Sequence, residues 1–238
     1  MVTTLYLIRH GETEGGEIRR YKGTIDVPLS EKGVSQMEQI SKYIVELAQN
    51  ISTFNSSKQK SNPPCPPLRK GGKGGLISAV YCSDLTRAIR SAEIVAEPHS
   101  LKPIIVSSLR ERNFGLWEGM SFDEIREKYP LEFDAWAGNP LKFSPMEGES
   151  TLAMRDRVIQ AMNEIMENHN KENIAIVAHG GVNRIILCHI LGIPLKNIFR
   201  IEQDYGALNI IEFWDEYPVV KLLNGSSSVE SIGNTGGR

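Results

Sequence analysis

The sequence predicts an α/β protein, a three-layer α/β/α sandwich around a mostly parallel sheet. Short apolar runs alternate along the chain with longer amphipathic segments, which is the order of strands and helices in such folds. The apolar runs are nearly continuous, as expected for strands that are buried on both faces. The length of 238 residues suits one domain of this class, with room for an insertion.

Six segments are predicted to be strands because they are short, apolar and rich in β-branched residues. They cover residues 4–8, 76–83, 102–107, 173–179, 207–214 and 218–223. The pattern is strongest in NIAIVAH, at residues 173–179. The last two segments are close along the chain, so we expect them to pair as a hairpin.

Five segments are predicted to be helices, most of them from apolar residues spaced three or four positions apart. They cover residues 31–47, 83–97, 121–130, 150–168 and 182–191. Ser30 and Ser83 are predicted N-caps of the first two helices. Ser121 and Glu124 form a capping box at the start of the third. Gly192 and the proline that follows it predict the end of the last helix.

Residues 50–75 interrupt this pattern, because they are rich in Ser, Asn, Pro, Lys and Gly and poor in core residues. We predict a disordered insertion there, within one domain that spans residues 1–224. Residues 225–238 are expected to form a flexible tail. The basic stretch PPLRKGGKGG inside the insertion could contact nucleic acid or a partner, although a solvated loop is the simpler interpretation.

Composition excludes several classes of function. The net charge of -2 gives no overall positive field, so neither nucleic acid nor a membrane surface is an expected partner. Cys65, Cys82 and Cys188 are odd in number and widely spaced, which argues against a disulfide framework and a CxxC metal site. We therefore expect a cytoplasmic monomer or homodimer with no metal and no cofactor.

Two predicted strands end with a histidine that is followed by glycine. His10 follows the first strand, and His179 follows the strand over 173–179, with Gly180 after it. Parallel strands place their carboxyl ends at one edge of a sheet, so neighbouring strands would bring both histidines together. The helix after His179 presents free amides that favour an anion. Either histidine alone is more often a plain polar residue at a sheet edge, but the pair favours a functional site.

Two arginines and a glutamate lie close to the same predicted edge. Arg9 precedes His10, and Arg87 is in the first turn of the helix after strand 76–83. Guanidinium groups suit bidentate contacts with phosphate. Glu111 follows strand 102–107, and a carboxylic acid beside bound phosphate could hold a proton for transfer. Both Arg87 and Glu111 could instead be surface residues, and spacing alone does not decide the question for Glu111.

The motifs now point to a family. LIRHGET, KGTIDVPLSEKG, YCSDLTRAIRSAE, LRERNFGLWEG, EGEST and IVAHGG occur in this order, and the sequence resembles the phosphoglycerate mutase-like histidine phosphatase superfamily. The resemblance covers nearly the whole chain except the insertion and the tail. It implies that His10 is the nucleophile that becomes phosphorylated. It also implies that Arg9, Arg87 and His179 form the phosphate pocket, with His179 as a cationic donor, and that Glu111 transfers the proton.

The sequence departs from the family pattern in the loop after His10. Many members carry an asparagine that helps to bind phosphate, and Gly16 stands there in this chain. The missing donor could be supplied by Thr13 or by a backbone amide. Arg20 and Lys22 could contact a second anionic group of the substrate, or they could be solvent-exposed loop charges.

The short path from Glu111 to EGEST resembles the phosphatase branch, and most of all the α-ribazole phosphatases of cobalamin synthesis. We therefore expect a hydrolase of small phosphate monoesters. A cofactor-dependent phosphoglycerate mutase and a broad-specificity sugar phosphatase are alternatives, and so is a catalytically silent protein that binds a phosphate ligand. Four aromatic residues could line the substrate pocket or belong to the core. They are Trp117, Phe122, Trp136 and Phe143.

Overall fold

The computed structural model describes residues 2–16, 20–57, 77–215 and 217–226. Within these ranges six strands form one sheet. They are β1 (Val2–Arg9), β2 (Ala79–Cys82), β3 (Ile104–Ile105), β4 (Asn173–Ala178), β5 (Leu208–Trp214) and β6 (Tyr217–Gly225). The α-helices are α1 (Glu31–Ser57), α2 (Thr86–Ala96), α3 (Phe122–Lys128), α4 (Pro130–Gly138), α5 (Thr151–Glu167) and α6 (Gly180–Leu191).

The strands lie in the order β3-β2-β4-β1-β5-β6. Within the first four of these positions every pair of neighbours is parallel, namely β3 with β2, β2 with β4 and β4 with β1. Strand β5 runs antiparallel to β1 and forms an antiparallel hairpin with β6. Parallel neighbours need crossover connections, and α1, α2 and α5 occupy these connections. The predicted mostly parallel sheet with a terminal hairpin is therefore confirmed.

Alternate residues of β1 point into two separate apolar cores. Leu5 and Leu7 pack on one face with side chains of α5 and α6. Tyr6 and Ile8 pack on the opposite face with side chains of α1 and α2. A buried sheet with helices on both faces is the predicted three-layer sandwich.

The first helix extends further than predicted. Ser30 caps α1 through its hydroxyl, which accepts a hydrogen bond from the amide of Gly33 at 3.1 Å, but the helix continues to Ser57. The stretch 50–57 lacks both Pro and Gly, so nothing in it stops a helix that has already begun. Residues 58–75 lie outside the described residues, and so do residues 227–238 of the predicted tail.

The predicted capping role of Ser83 is wrong. Helix α2 begins at Thr86, whose amide and hydroxyl donate to the Asp26 carboxylate at 2.8 and 2.5 Å. A carboxylate from a distant loop therefore caps this helix, which local sequence patterns do not show. The Ser83 hydroxyl is left for a contact in the site described below.

Helices α3 and α4 follow one another in the chain and pack together, with Phe122 against Phe133 and Trp136. The predicted capping box of Ser121 and Glu124 opens α3, and Pro130 begins α4 in the first helical turn, where proline is tolerated. The sequence did not predict α4, because it reads Pro130 only as the end of a helix. None of the described helices has the length and apolar character that crossing a membrane requires.

Candidate active site

The two predicted histidines lie side by side at the carboxyl end of the sheet. Strands β1 and β4 are adjacent and parallel, with Arg9 opposite Ala178, so the chain leaves both strands at the same level. The ring centroids of His10 and His179 are 5.1 Å apart, and both side chains are buried. The predicted convergence of these two imidazoles is confirmed.

His10 has a neutral ring with one nitrogen available to react. Its Nδ1 lies 2.7 Å from the carbonyl oxygen of Gly11, which can only accept, so Nδ1 carries the proton and Nε2 the lone pair. Burial lowers the pKa of His10 well below its ordinary value, and the charges of Arg9 and Arg87 lower it further. The imidazole is therefore unprotonated at Nε2 near neutral pH.

His179 presents a donor rather than a positive charge. Its Nε2 lies 2.7 Å from the hydroxyl of the fully buried Ser83. Because this hydroxyl needs an acceptor, it donates to Nε2 and leaves the ring proton on Nδ1. Burial lowers the pKa of His179 well below its ordinary value, followed by the effects of His10 and Arg87. The expectation of a cationic donor is therefore wrong for this state of the protein, because burial and neighbouring cations disfavour the imidazolium.

The two predicted arginines are held by backbone carbonyls, which fix their positions without cancelling their charges. Arg9 donates from Nη1 to the carbonyl of Gln203 at 2.5 Å, and its Cζ lies 3.9 Å from the ring centroid of Tyr205. Arg87 donates to two carbonyls of the loop over residues 23–25 at 2.6 and 2.7 Å. Both positive charges are therefore available to an anion at this edge of the sheet.

Two buried donors in this region have no partner within the described residues. They are Nε of Arg9 and Nδ1 of His179. A buried donor without an acceptor is costly, so a pair of them in one place indicates a position that an anionic ligand fills. A Cβ at Gly180 would lie 3.2 Å from Nη1 of Arg184 and 3.4 Å from Nε of Arg9, so a side chain there would touch both guanidinium groups.

Glu111 lies at the N-terminus of α6, as expected for a residue of the same site. Its Oε2 accepts from the amide of Gly181 at 2.9 Å, and its Oε1 accepts from the amide of Arg112 at 2.9 Å. A Cβ at position 181 would lie 2.3 Å from Oε1, so a larger residue there would displace the carboxylate of Glu111. Burial lowers the pKa of both Arg9 and Arg87, and the carboxylate of Glu111 offsets part of this effect.

The loop residues singled out in the sequence line the same cavity but differ in their contacts. Thr13 is buried. Arg20 forms a bidentate ion pair with Glu124 at 2.6 and 2.9 Å, so its charge is largely compensated. Lys22 donates to the carbonyls of residues 14–15 at 2.7 and 2.8 Å and keeps its charge close enough to lower the pKa of His10.

The cavity at this edge has a volume of about 800 Å³, far more than a phosphate ion needs. Three of the four aromatic residues noted in the sequence line it, namely Trp117, Phe122 and Trp136. Phe143 stacks on Trp117 with a centroid distance of 5.3 Å, so it supports the wall. The cavity therefore has a cationic floor, formed by Arg9 and Arg87, and an aromatic wall, formed by Trp117, Phe122 and Trp136.

Sequence reasoning missed five residues of this site. They are Ser83, Arg112, Arg184, Gln203 and Tyr205. Gln203 and Tyr205 precede β5, and β5 runs antiparallel to β1, so its start rather than its end lies at the active edge. Recognition of β5 as antiparallel is the signal that could have found them. Over the described parts of the chain, no three His, Cys, Asp or Glu side chains are arranged to hold a metal ion.

Comparisons with known proteins agree with this geometry. The family model described as the histidine phosphatase superfamily (branch 1) matches residues 5–60 and 70–226. Phosphoserine phosphatase 1 of Hydrogenobacter thermophilus is 28% identical over 220 residues, which cover 92% of this chain and 91% of that protein. The adenosylcobalamin/alpha-ribazole phosphatase of Escherichia coli is 26% identical over 220 residues, covering 92% and 95%.

Solved structures give the same result. Bacillus stearothermophilus YhfR superimposes with a TM-score of 0.71 and 31% identity, covering 92% of this chain and 96% of that one. A putative alpha-ribazole-5'-P phosphatase from Escherichia coli superimposes with a TM-score of 0.76, covering 94% and 96%, and its 23% identity supports the fold alone.

Proposed function

This chain belongs to the histidine phosphatase superfamily, and we propose that it hydrolyses phosphomonoesters through a phosphohistidine formed on His10. One observation carries the proposal. The free Nε2 of a neutral His10 lies beside two unpartnered buried donors. They are Nε of Arg9, which lines the same cavity, and Nδ1 of His179, whose ring centroid is 5.1 Å from that of His10. A nucleophile beside an oxyanion-sized set of donors is what attack on phosphorus requires.

The first step transfers the phosphoryl group to the enzyme. Arg9, Arg87 and His179 hold its non-bridging oxygens, and Nε2 of His10 forms a bond to phosphorus while the bond to the ester oxygen breaks. Glu111, in its acid form, gives its proton to the departing alcohol. The proton of His10 stays on Nδ1 throughout and is donated as a hydrogen bond to the carbonyl of Gly11, which leaves Nε2 free to form the new bond.

The second step returns the enzyme to its starting state. Water attacks phosphorus, the bond to Nε2 breaks, and the Glu111 carboxylate takes the proton from the water. The products are inorganic phosphate and neutral His10, so atoms and charges balance over the cycle. The two amides that hold Glu111 keep the carboxyl group at the N-terminus of α6 in both steps.

The cavity favours a bulky alcohol over an amino acid as the leaving group. Serine is compact and carries two charges, whereas the wall beyond the arginines is formed by Trp117, Phe122 and Trp136. Aromatic faces suit a planar ring in the substrate. We therefore propose a ring-bearing phosphomonoester such as α-ribazole 5'-phosphate, ahead of phosphoserine.

The same proposal includes a cytoplasmic location and a monomer or homodimer. The cysteines that the structure describes, Cys82 and Cys188, are unpaired and buried, which supports a reducing compartment. The proposal also states that the protein binds a small phosphate monoester, its substrate, rather than a macromolecule.

A substrate panel tests this proposal. The full chain is assayed for phosphate release from p-nitrophenyl phosphate, α-ribazole 5'-phosphate, phosphoserine and 3-phosphoglycerate, with a chelator present. We expect release from the first two, with kcat/KM for α-ribazole 5'-phosphate about tenfold or more above that for phosphoserine. Preference for phosphoserine would contradict the argument from the aromatic wall. Conversion of 3-phosphoglycerate to its isomer would favour a mutase, and binding without turnover of any ester would favour a silent binding protein.

A further inference from the structure

The turn before β5 is fastened to the residues that carry the nucleophile. The amide of Arg9 donates to the carbonyl of Ala207 at 2.9 Å, and the amide of Gly206 donates to the carbonyl of His10 at 3.1 Å. Gly206 has a φ of +70°, a conformation that glycine adopts without strain. Tyr205 directly precedes these two anchoring residues, so its position relative to His10 is fixed.

A second set of contacts holds the other side of this turn. The amide of Asp204 donates to Oδ1 of Asn224 at 2.8 Å, and Nδ2 of Asn224 donates back to Oδ2 of Asp204 at 2.8 Å. Asn224 belongs to β6, so the turn is tied to the sheet from both directions. The position of Tyr205 is thus a property of the fold and needs no ligand to form.

The ring of Tyr205 covers the phosphate position. It lies 3.9 Å from Cζ of Arg9 and 5.7 Å, between centroids, from the ring of His10, and it lines the cavity. Tyr205 is half-buried, so its ring contacts the guanidinium of Arg9 and is also accessible from the cavity.

The family resemblance implies a side-chain donor to phosphate at position 16, and this chain has none there. Gly16 has no side chain to offer, and its amide already donates to the carbonyl of Thr13 at 2.9 Å. A phosphoryl group in transfer has three non-bridging oxygens, each of which can accept more than one hydrogen bond. A phenol suits this position because it donates without adding another positive charge to a crowded group of cations.

We propose that the hydroxyl of Tyr205 donates a hydrogen bond to the transferring phosphoryl group and takes the place of the side-chain donor that Gly16 lacks. This inference rests on the proposed phosphatase function. Tyr205 is then a catalytic residue that contacts the substrate. Its ring is also a second partner of Arg9, because it stacks on the guanidinium group and holds it in place.

Two substitutions separate the hydroxyl from the ring. Tyr205→Phe removes only the hydroxyl and keeps the stacking on Arg9, whereas Tyr205→Leu removes both. Tyr217→Phe is the matched control, because Tyr217 is 74% exposed on β6 and does not line the cavity. We expect Tyr205→Phe to lower kcat/KM for p-nitrophenyl phosphate about 10- to 100-fold, the usual loss for one charge-assisted hydrogen bond. Inhibition by orthovanadate should weaken in parallel, and the control should behave as the unmodified protein.

The outcomes distinguish this inference from the proposed function. Unchanged kcat/KM and vanadate inhibition in Tyr205→Phe, with a loss only in Tyr205→Leu, would show that the ring packs against Arg9 and that the hydroxyl is no donor. All assays are made well below the Tm of each variant, so that a change in stability is not mistaken for a lost contact. If the unmodified chain releases no phosphate, the function fails, and calorimetric binding of inorganic phosphate to the unmodified chain and Tyr205→Phe still tests the contact. Equal affinity in that measurement would overturn it.

Discussion

Histidines occupy both ends of the central sheet, and their surroundings differ in one respect above all. At the amino end, Nε2 of His169 lies 2.7 Å from the hydroxyl of Tyr81, and Nδ1 lies 2.6 Å from the carboxylate of Glu172. Both ring nitrogens of His169 therefore have partners. At the carboxyl end, Nε2 of His10 and Nδ1 of His179 have no hydrogen-bond partner among the described residues.

The charges around these histidines differ in the same way. Glu172, which also accepts from Ser78 at 2.9 Å, provides a carboxylate beside His169. Arg9 and Arg87 place positive charge beside His10 and His179 instead. A polar cluster that completes its own hydrogen bonds stabilises the fold, whereas one that leaves donors open in a cationic setting awaits an anion. The difference separates a structural histidine from a functional one without reference to relatives.

The largest expected effect contrasts the two ends directly. His10→Ala should lower phosphate release by about four orders of magnitude or more, because it removes the nitrogen that forms the phosphoenzyme. His169→Ala should keep kcat and lower the free energy of unfolding by about 1 kcal/mol, because Tyr81 and Glu172 lose a half-buried partner. Steady-state assays and urea unfolding of both variants check the contrast. Near-normal turnover in His10→Ala would contradict the nucleophile assignment.

The next effect concerns proton transfer by Glu111. Glu111→Gln should slow esters of alkyl alcohols about 100- to 10,000-fold, because their leaving oxygen needs a proton. p-Nitrophenyl phosphate should be affected far less, because nitrophenolate leaves without one. Glu172→Gln at the other end of the sheet is the control and should leave both rates unchanged. Equal losses for both kinds of ester in Glu111→Gln would argue against the acid role.

A smaller effect is expected from the serine that orients His179. Ser83→Ala should lower kcat about tenfold, because Nε2 of His179 loses the donor that keeps the ring proton on Nδ1. Ser78→Ala removes the corresponding hydroxyl beside Glu172 and should leave kcat unchanged. The pH dependence of kcat distinguishes orientation from simple packing, since a freed tautomer changes the profile. If both serine variants lose activity equally, the contrast between the two ends does not hold.

The smallest effect is a pH dependence of stability. The folded-state pKa values of His10 and His179 lie well below 6.5, so below about pH 6.5 the unfolded chain binds more protons than the folded one. Stability is therefore complete above this pH and falls as the pH drops below it, by at most about 1.4 kcal/mol per pH unit for each histidine. Urea unfolding between pH 7.5 and 5.5 measures this slope. A variant with His10→Asn and His179→Asn should have a shallower slope, and an identical slope would contradict the buried neutral state.

The sequence predicted most of the cationic floor because that floor follows strand ends. β1 and β4 are parallel neighbours, so the residues that follow them lie close together regardless of the loop conformations. The start of β5 reaches the same edge only because β5 runs antiparallel, which placed Tyr205 outside the prediction. The charge state of His179 depends on burial among distant residues, and the pairing of Arg20 with Glu124 spans 104 positions. Such contacts leave no local pattern in the sequence.

The most direct measurement of the central claim is to trap the phosphoenzyme. The chain is mixed with p-nitrophenyl phosphate carrying labelled phosphorus, quenched within one turnover, and digested for peptide mapping. We expect an acid-labile, alkali-stable label on the peptide that contains His10, absent in His10→Ala and released as phosphate on further incubation. A label on His179, an acid-stable label on serine, or rapid turnover with no label on the protein would contradict the account.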